Sequence, residues 1–194
     1  MSAAPRSRTW AAARRAGHLV RRFFETVFAR PLDDESRAWV AAALEPGERS
    51  VWQGMSRADQ AEGLAVARRF EASPSSTAAG RDPRWRAAAL LHDAGKQLSG
   101  YSAPSRALVT VLAGVVGDER VRRWAAGSGR RRARAGRYVA HDDLGAALLW
   151  SAGARPEVAA WAGAHHHPGA WPETGIPLEV CRALALADGE PAPP

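Results

Sequence analysis

The sequence predicts an all-α fold, a single-domain helical bundle. Apolar residues recur at helical spacing along the chain, and no segment shows the strict alternation of a half-buried strand. Proline and glycine divide the chain into stretches of helical length. With 194 residues, 46% of them hydrophobic, and eight tryptophans, the chain is long enough for one domain with a substantial core.

Each predicted helix in the first half begins at a capping residue or a proline and ends at a break or a polar loop. The predicted spans are 9–29, 33–44, 56–70 and 84–95, with a break at Glu45-Pro46-Gly47. The first span carries a basic amphipathic stripe. Such a stripe is typical of a helix packed on its own domain and, less often, of one on a membrane surface.

The second half of the chain follows the same pattern. The predicted helices are 105–116, a short one after it, 139–152, 156–167 and 177–188, with Gly153 as a C-cap and Pro168-Gly169 as a stop. The arginine-rich run over 129–137 is predicted to be a solvated loop flanked by glycines. A nucleic-acid-binding surface there is the less favoured alternative.

Charge and cysteine content limit the class of protein. The net charge of +7 predicts attraction to anionic ligands. The lone Cys181 excludes an internal disulfide and a cysteine-based zinc site. The sequence lacks a long apolar run, and arginines interrupt the apolar stretches near its start, so neither a membrane span nor a signal peptide is expected. We therefore expect a cytoplasmic protein. The sequence does not indicate its oligomeric state.

Lys96 is the only lysine of the chain, although it has 27 basic residues. The predicted helix 84–95 brings His92, Asp93 and Lys96 to one region of surface, because they are three and four residues apart. An imidazole and a carboxylate are ligands for a divalent cation, and a lysine beside them can hold a phosphate. This segment therefore predicts a metal site.

The other histidines strengthen the hypothesis. Five of six, all except His18, fall on late predicted helices. His141, His165 and Asp188 lie on apolar faces by their spacing, and a buried unpaired carboxylate is costly unless a cation compensates it. Taken singly, each residue has an ordinary explanation as a core or surface side chain. Together they favour a metal site.

Leu90-Leu91-His92-Asp93-Ala94-Gly95-Lys96 resembles the hallmark of the HD-domain superfamily of metal-dependent phosphohydrolases, an all-α fold. The later His141, His165-His166 and Ala187-Asp188 extend the resemblance. It covers about residues 51–190. It thus implies an HD-like domain there, an N-terminal helical extension over 1–50 packed on it, and a short tail over 191–194.

The resemblance implies one or two divalent metal ions, such as Mn²⁺, Mg²⁺ or Fe²⁺. The implied ligands are Glu62, His92, Asp93, His141, His165, His166 and Asp188. Among them, Asp93 would bridge two metals. Lys96 would steady a phosphate oxygen, and His141 would contact the phosphate or relay protons. Which members of the triplet His165-His166-His167 bind metal stays open.

One position departs from the family pattern. The family begins its ligand set with a histidine on an earlier helix, and Glu62 stands there in this chain. Glutamate can bind Mg²⁺, Mn²⁺ or Fe, so either the site survives with harder ligands or it has lost its first metal and its activity.

The expected activity is hydrolysis of a phosphomonoester or phosphodiester, with a small phosphorylated substrate such as a nucleotide. The alternative is a catalytically impaired HD-like module that binds a nucleotide, RNA or a partner protein. A purely structural bundle explains the inward polar residues least well. Gly175-Ile176-Pro177 is only a weak echo of the signature found in cyclic-dinucleotide phosphodiesterases.

Overall fold

The computed structural model describes residues 31–73 and 82–190; the predicted helix over 9–29 and the tail over 191–194 lie outside them. Within this part of the chain all regular structure is helical and no strand is present, as predicted. The α-helices are α1 Asp34–Ala43, α2 Pro46–Gly54, α3 Arg57–Ala72, α4 Pro83–Leu91, α5 Ala103–Val116, α6 Asp118–Arg122, α7 Arg130–Val139, α8 His141–Ser151, α9 Pro156–Ala164 and α10 Leu178–Asp188. The 3₁₀ helices are Ala94–Ser99, Arg123–Ala126 and Pro168–Glu173.

Helix α4 lies at the centre of the fold. Its start is fixed by Pro83 in the first position and by Asp82, whose carboxylate accepts a hydrogen bond from the Arg84 N–H at 2.9 Å. Every side chain from Ala87 to Leu91 is fully buried, because α4 packs against α1, α2, α3, α9 and α10. The end of α4 therefore delivers the next residues, His92 and Asp93, into the interior.

The predicted helix over 84–95 is wrong at its end. Helix α4 ends at Leu91, a turn follows, and a separate 3₁₀ helix begins at Ala94. The cause is close packing of this 3₁₀ helix on α8, where a Cβ on Gly95 would lie 1.9 Å from the carbonyl oxygen of His141.

The arginine-rich segment is a helix, α7, and not the predicted loop. Its inward side consists of small residues, which allow close approach: a Cβ on Gly136 would lie 2.1 Å from the backbone nitrogen of Ala125. Arg132 lies over the ring of Trp124, with the guanidinium carbon 5.6 Å from the ring centroid. The segment is therefore stabilised by packing that its composition does not reveal.

Helix α2 occupies a position where the sequence predicted only a break. Pro46 is compatible with the first turn of a helix, and Glu45 and Glu48 form a capping box around that turn. Residues of α1 and α2, such as Val40 and Trp52, belong to the same hydrophobic core as α4.

Helices α5, α6 and α7 form a lobe with a smaller core of its own, made by Val109, Ala113, Val121 and Ala135. We call residues 103–139 the α5–α7 lobe. It lies beside the residues of the predicted metal site. No helix within the described residues has the length and hydrophobicity that a membrane crossing requires.

Candidate metal centre

Four helix ends meet at one place in the fold. The ends of α4, α9 and α10 and the start of α8 contribute polar side chains to it. We call these residues the His/Asp cluster: His92, Asp93, His141, His165, His166 and Asp188. All six are among the residues that the sequence predicted as ligands.

Three imidazoles of the cluster are oriented in the same way. In His92, His141 and His165, Nδ1 lies 2.9 Å from the backbone carbonyl oxygen three residues earlier. Because a carbonyl oxygen can only accept a hydrogen bond, Nδ1 carries the hydrogen. In the neutral imidazole Nε2 then presents a lone pair, so all three rings turn an acceptor toward the cluster.

Four buried atoms of the cluster have no hydrogen-bond partner among the described residues: Nε2 of His92, His141 and His165, and Oδ1 of Asp93. The Asp93 Oδ1 atom lies 3.2 Å from Nε2 of His141 and 3.8 Å from Nε2 of His165. All four atoms are acceptors when the rings are neutral, so they cannot satisfy one another. Buried acceptors without donors are costly, and a cation among them removes this cost. The residues present therefore fit a metal ion.

Asp93 lies between two groups of potential metal-ligand atoms. Its Oδ1 faces His141 and His165, whereas its Oδ2 accepts a hydrogen bond from the Lys96 ammonium and lies 3.3 Å from His92 Nε2. Asp188 Oδ1 lies 3.4 Å from the same His92 nitrogen. One carboxylate thus joins two potential ligand sets.

The set that includes His141 and His165 has a spacing close to the one that a single metal ion needs. Asp93, His141, His165 and His166 each offer a ligand atom, and these atoms all lie within 4.8 Å of one another. Ligands on opposite sides of one ion are about 4.2 Å apart, twice a metal–nitrogen bond. This group of three histidines and an aspartate could therefore hold a metal ion.

Burial and charge shift the pKa values of the cluster. Burial raises the pKa of Asp93, but the charges of Lys96 and His92 outweigh it and hold that pKa well below its usual value. For Asp188, burial is likewise outweighed by His92, and the pKa is about 2. Burial holds the pKa of His165 well below its usual value. Both carboxylates are thus ionised and His165 is neutral near pH 7, as metal ligands must be.

His92 and Lys96 experience the opposite shift. Burial lowers both pKa values, but Asp93 outweighs it for each residue, and Asp188 adds to the effect on His92. The pKa of His92 is therefore well above its usual value, and that of Lys96 is raised. The carboxylates thus draw positive charge to the cluster.

His167, the third histidine of the triplet, is turned away from the cluster. Its Nε2 lies 2.8 Å from Oδ2 of Asp142, which also accepts a hydrogen bond from Arg122 at 2.7 Å. Asp142 is almost fully buried. The sequence signal that could have indicated a role for Asp142 is the second His-Asp pair of the chain, His141-Asp142.

Glu62, which stands where the resembled pattern has a histidine, lies on α3. Its Oε1 is 3.7 Å from Nη2 of Arg69, and its carboxylate is not among the four ligand atoms that the structure gathers. The Arg69 Nε–H donates to the carbonyl oxygen of Ala187 at 2.6 Å, one residue before Asp188. Glu62 is thus connected to the cluster through Arg69 and the last turn of α10.

A cavity of about 460 Å³ opens beside the cluster. Lys96, His141 and His166 line it on the cluster side, and the α5–α7 lobe lines the opposite side, including Tyr138. Sequence patterns carried no signal for this cavity, because its walls come from distant parts of the chain.

Comparison with known proteins adds no assignment. No protein-family model, no curated protein and no solved structure matches the chain.

Proposed function

We propose that the chain is a metal-dependent phosphohydrolase of the HD-domain superfamily. The observation that carries the proposal is the set of four buried side-chain atoms, on His92, Asp93, His141 and His165, that have no hydrogen-bond partner among the described residues. A lysine ammonium next to them, on Lys96, suits a phosphate ester as the ligand that approaches the cation. The motif around His92-Asp93 and its resemblance to that superfamily point to the same chemistry.

The donor set favours particular metals. Imidazole nitrogens suit Fe and Zn, and carboxylate oxygens suit Mg²⁺ and Mn²⁺. A site with three histidines and Asp93 as its gathered ligands therefore favours Fe²⁺ over Mg²⁺. A second ion would share Asp93 and would be held by His92 and Asp188, which face its other oxygen and each other.

The residues have distinct tasks in the proposed hydrolysis of a phosphate ester. A bound divalent cation supplies Lewis acidity, which polarises a phosphoryl oxygen and makes a water molecule more acidic. Asp93 contributes one carboxylate oxygen to each of the two sets of potential metal ligands. Lys96 gives one N–H to Asp93 and has two more donors for a phosphate oxygen. The hydrogen bonds from Nδ1 keep His141 and His165 aimed at the same point.

The proposal is tested by metal content and turnover measured together. We expect purified protein loaded with Mn²⁺ or Fe²⁺ to hold one or two ions per chain and to hydrolyse members of a panel of phosphate esters. Asp93→Asn and His165→Ala should lose metal and should lower turnover by at least about 100-fold. His167→Ala is the matched control for metal content, because that ring pairs with Asp142 instead of facing the cluster.

Two outcomes decide against the proposal. Protein that binds no divalent metal would overturn it. Protein that binds metal and phosphate esters but turns over none of them would favour the non-catalytic HD-like module instead. Circular dichroism of each variant separates loss of metal from loss of fold.

A further inference from the structure

The cavity beside the cluster has an uneven distribution of charge. Lys96 lines the side next to the cluster, together with the cluster residues His141 and His166. Asp118 and Glu119, at the start of α6, line its exposed side. Within residues 31–73 and 82–190 neither of these two carboxylates has an ion-pair partner. The exposed side of the cavity is therefore negatively charged.

The other charged groups of the cavity do not offset these two carboxylates. Arg122 is paired with Asp142, with N and O atoms 2.7 Å apart, and also with Asp143. The Oδ2 atom of Asp142 accepts a hydrogen bond from Arg122 and also lies 2.8 Å from Nε2 of His167. The guanidinium of Arg122 thus pairs with Asp142 and Asp143 and not with Asp118 or Glu119.

A second observation connects the cavity with the His/Asp cluster. His141 lines the cavity and is only 9% exposed, and its Nε2 has no partner among the described residues. A group that enters the cavity therefore lies next to His141, one of the residues whose unpartnered atoms fit a cation. Under the proposed function this group is the phosphoryl group of the substrate, next to Lys96. The rest of the substrate then extends along Tyr138 and Val139 toward α6.

We propose, resting on the proposed function, that the cavity selects phosphomonoesters whose organic part is neutral or cationic at its far end. Asp118 and Glu119 would repel a second phosphate or a carboxylate there, and would attract an amine or accept hydrogen bonds from hydroxyl groups. The α5–α7 lobe thereby determines which phosphate esters bind. Diphosphates, bisphosphates and polynucleotides are disfavoured.

Three non-hydrolysable probes with one head group test this selection. They are phenylphosphonate, para-carboxyphenylphosphonate and para-(aminomethyl)phenylphosphonate, titrated calorimetrically into Mn²⁺-loaded protein. We expect the aminomethyl probe to bind most tightly and the carboxyl probe least tightly, with a spread of roughly tenfold or more in Kd. The spread should narrow at high salt, because the two carboxylates are exposed.

A pair of double variants assigns the effect to the two carboxylates. Asp118→Asn with Glu119→Gln should remove most of the spread. Asp34→Asn with Glu35→Gln removes the same charge from the start of another helix, α1, and should leave the spread unchanged. Tight binding of the carboxyl probe, equal effects of the two double variants, or failure of all three probes to bind would overturn the inference.

The binding assay separates this inference from the proposed function. A protein that orders the probes by charge but hydrolyses no ester keeps the inference and loses the function. A protein that hydrolyses esters without any ordering by charge keeps the function and loses the inference.

Discussion

Gly95 lies directly against His141, so that a Cβ on Gly95 would be 1.9 Å from the His141 carbonyl oxygen. The contact is reciprocal, because a Cβ on Gly145, one turn further along α8, would be 3.0 Å from the backbone nitrogen of Gly95. Two glycines thus set the distance between the backbone that follows Asp93 and the helix that begins with His141. The separation of two cluster residues depends on backbone contact and not only on side chains.

We expect Gly95→Ala to push α8 away from the 3₁₀ helix. The added methyl group should lower the free energy of unfolding by about 1–3 kcal/mol. It should also weaken Mn²⁺ binding, because Asp93 and His141 move apart. Urea unfolding and a metal titration measure the two effects.

Gly114→Ala is the matched control, because no heavy atom lies within 4 Å of a Cβ at that position in α5. Replacing this helical glycine should raise stability by up to about 1 kcal/mol and leave metal affinity unchanged. If Gly95→Ala behaved like Gly114→Ala, the close contact would not be what positions the cluster.

Arg69→Ala tests whether the end of α10 must be held in place. Arg69 donates to the Ala187 carbonyl oxygen at 2.6 Å, so its loss frees the turn that carries Asp188. We expect Mn²⁺ affinity to fall by roughly tenfold, as is typical when a residue supporting a ligand is removed. Arg68→Ala is the control, because Arg68 bonds Ser36 Oγ on α1. An equal fall in both variants would contradict a specific role for Arg69.

Glu62→Gln distinguishes a metal ligand at position 62 from a residue that acts through Arg69. If Glu62 acts through Arg69, as its 3.7 Å distance suggests, the variant should keep the same number of metal ions per chain at reduced affinity. A metal ligand would instead lose an ion. Elemental analysis under saturating Mn²⁺ gives the count.

The fold and much of the cluster could be predicted because their signals are local. Asp82 and Pro83 mark the start of α4, and Gly153, at a φ of +72°, ends α8 as its sequence position suggested. The apolar spacing around His141 and His165 indicated that both rings point inward, and both are buried.

The features that sequence patterns missed depend on contacts between distant residues. The end of α4 at Leu91 follows from the fit of Gly95 against α8, which no local pattern encodes. Helix α7 buries alanine and glycine, which give no hydrophobic stripe. The bond from Arg69 to Ala187 joins residues 118 positions apart.

Arg134→Ala should show that part of the arginine-rich helix is structural. Arg134 Nε–H donates to the Ser99 carbonyl oxygen at 3.1 Å, and its guanidinium carbon lies 4.5 Å from the ring centroid of Tyr101. Losing these contacts should cost about 1–2 kcal/mol of unfolding free energy. Arg130 is exposed and serves as the control. Arg130→Ala should change the free energy of unfolding by less than about 0.5 kcal/mol. Equal values from chemical denaturation would refute the structural role.

Glu48 makes the stability of the fold depend on pH. Its side chain is fully buried and accepts hydrogen bonds from Arg155, one of them at 2.8 Å, which connects α2 to the start of α9. Burial raises the pKa of Glu48, but the bonds from Arg155 and from the Glu45 N–H outweigh burial and lower the pKa below its usual value. The ionised form is therefore the one that folding favours.

The sign of the pH dependence follows from this lowered pKa. The stabilisation is fully present above the pKa of an unfolded glutamate, about 4.3. It is lost as the pH falls through the lower pKa of the folded state. Glu48→Gln should therefore cost about 3 kcal/mol near neutral pH, because it leaves Arg155 without a charged partner. The difference from wild type should shrink below about pH 4, because the unfolded chain takes up a proton at Glu48 before the folded chain does.

Urea unfolding of wild type and Glu48→Gln over this pH range measures the difference directly. Asp34→Asn is the control: Asp34 pairs with Arg37, but its side chain is 96% exposed, so its loss should cost less than about 0.5 kcal/mol at any pH. A penalty for Glu48→Gln that stayed constant as the pH fell would mean that the charge of Glu48 is not what stabilises the contact between α2 and α9. The loss would then come from packing or from hydrogen bonds that a neutral side chain also makes.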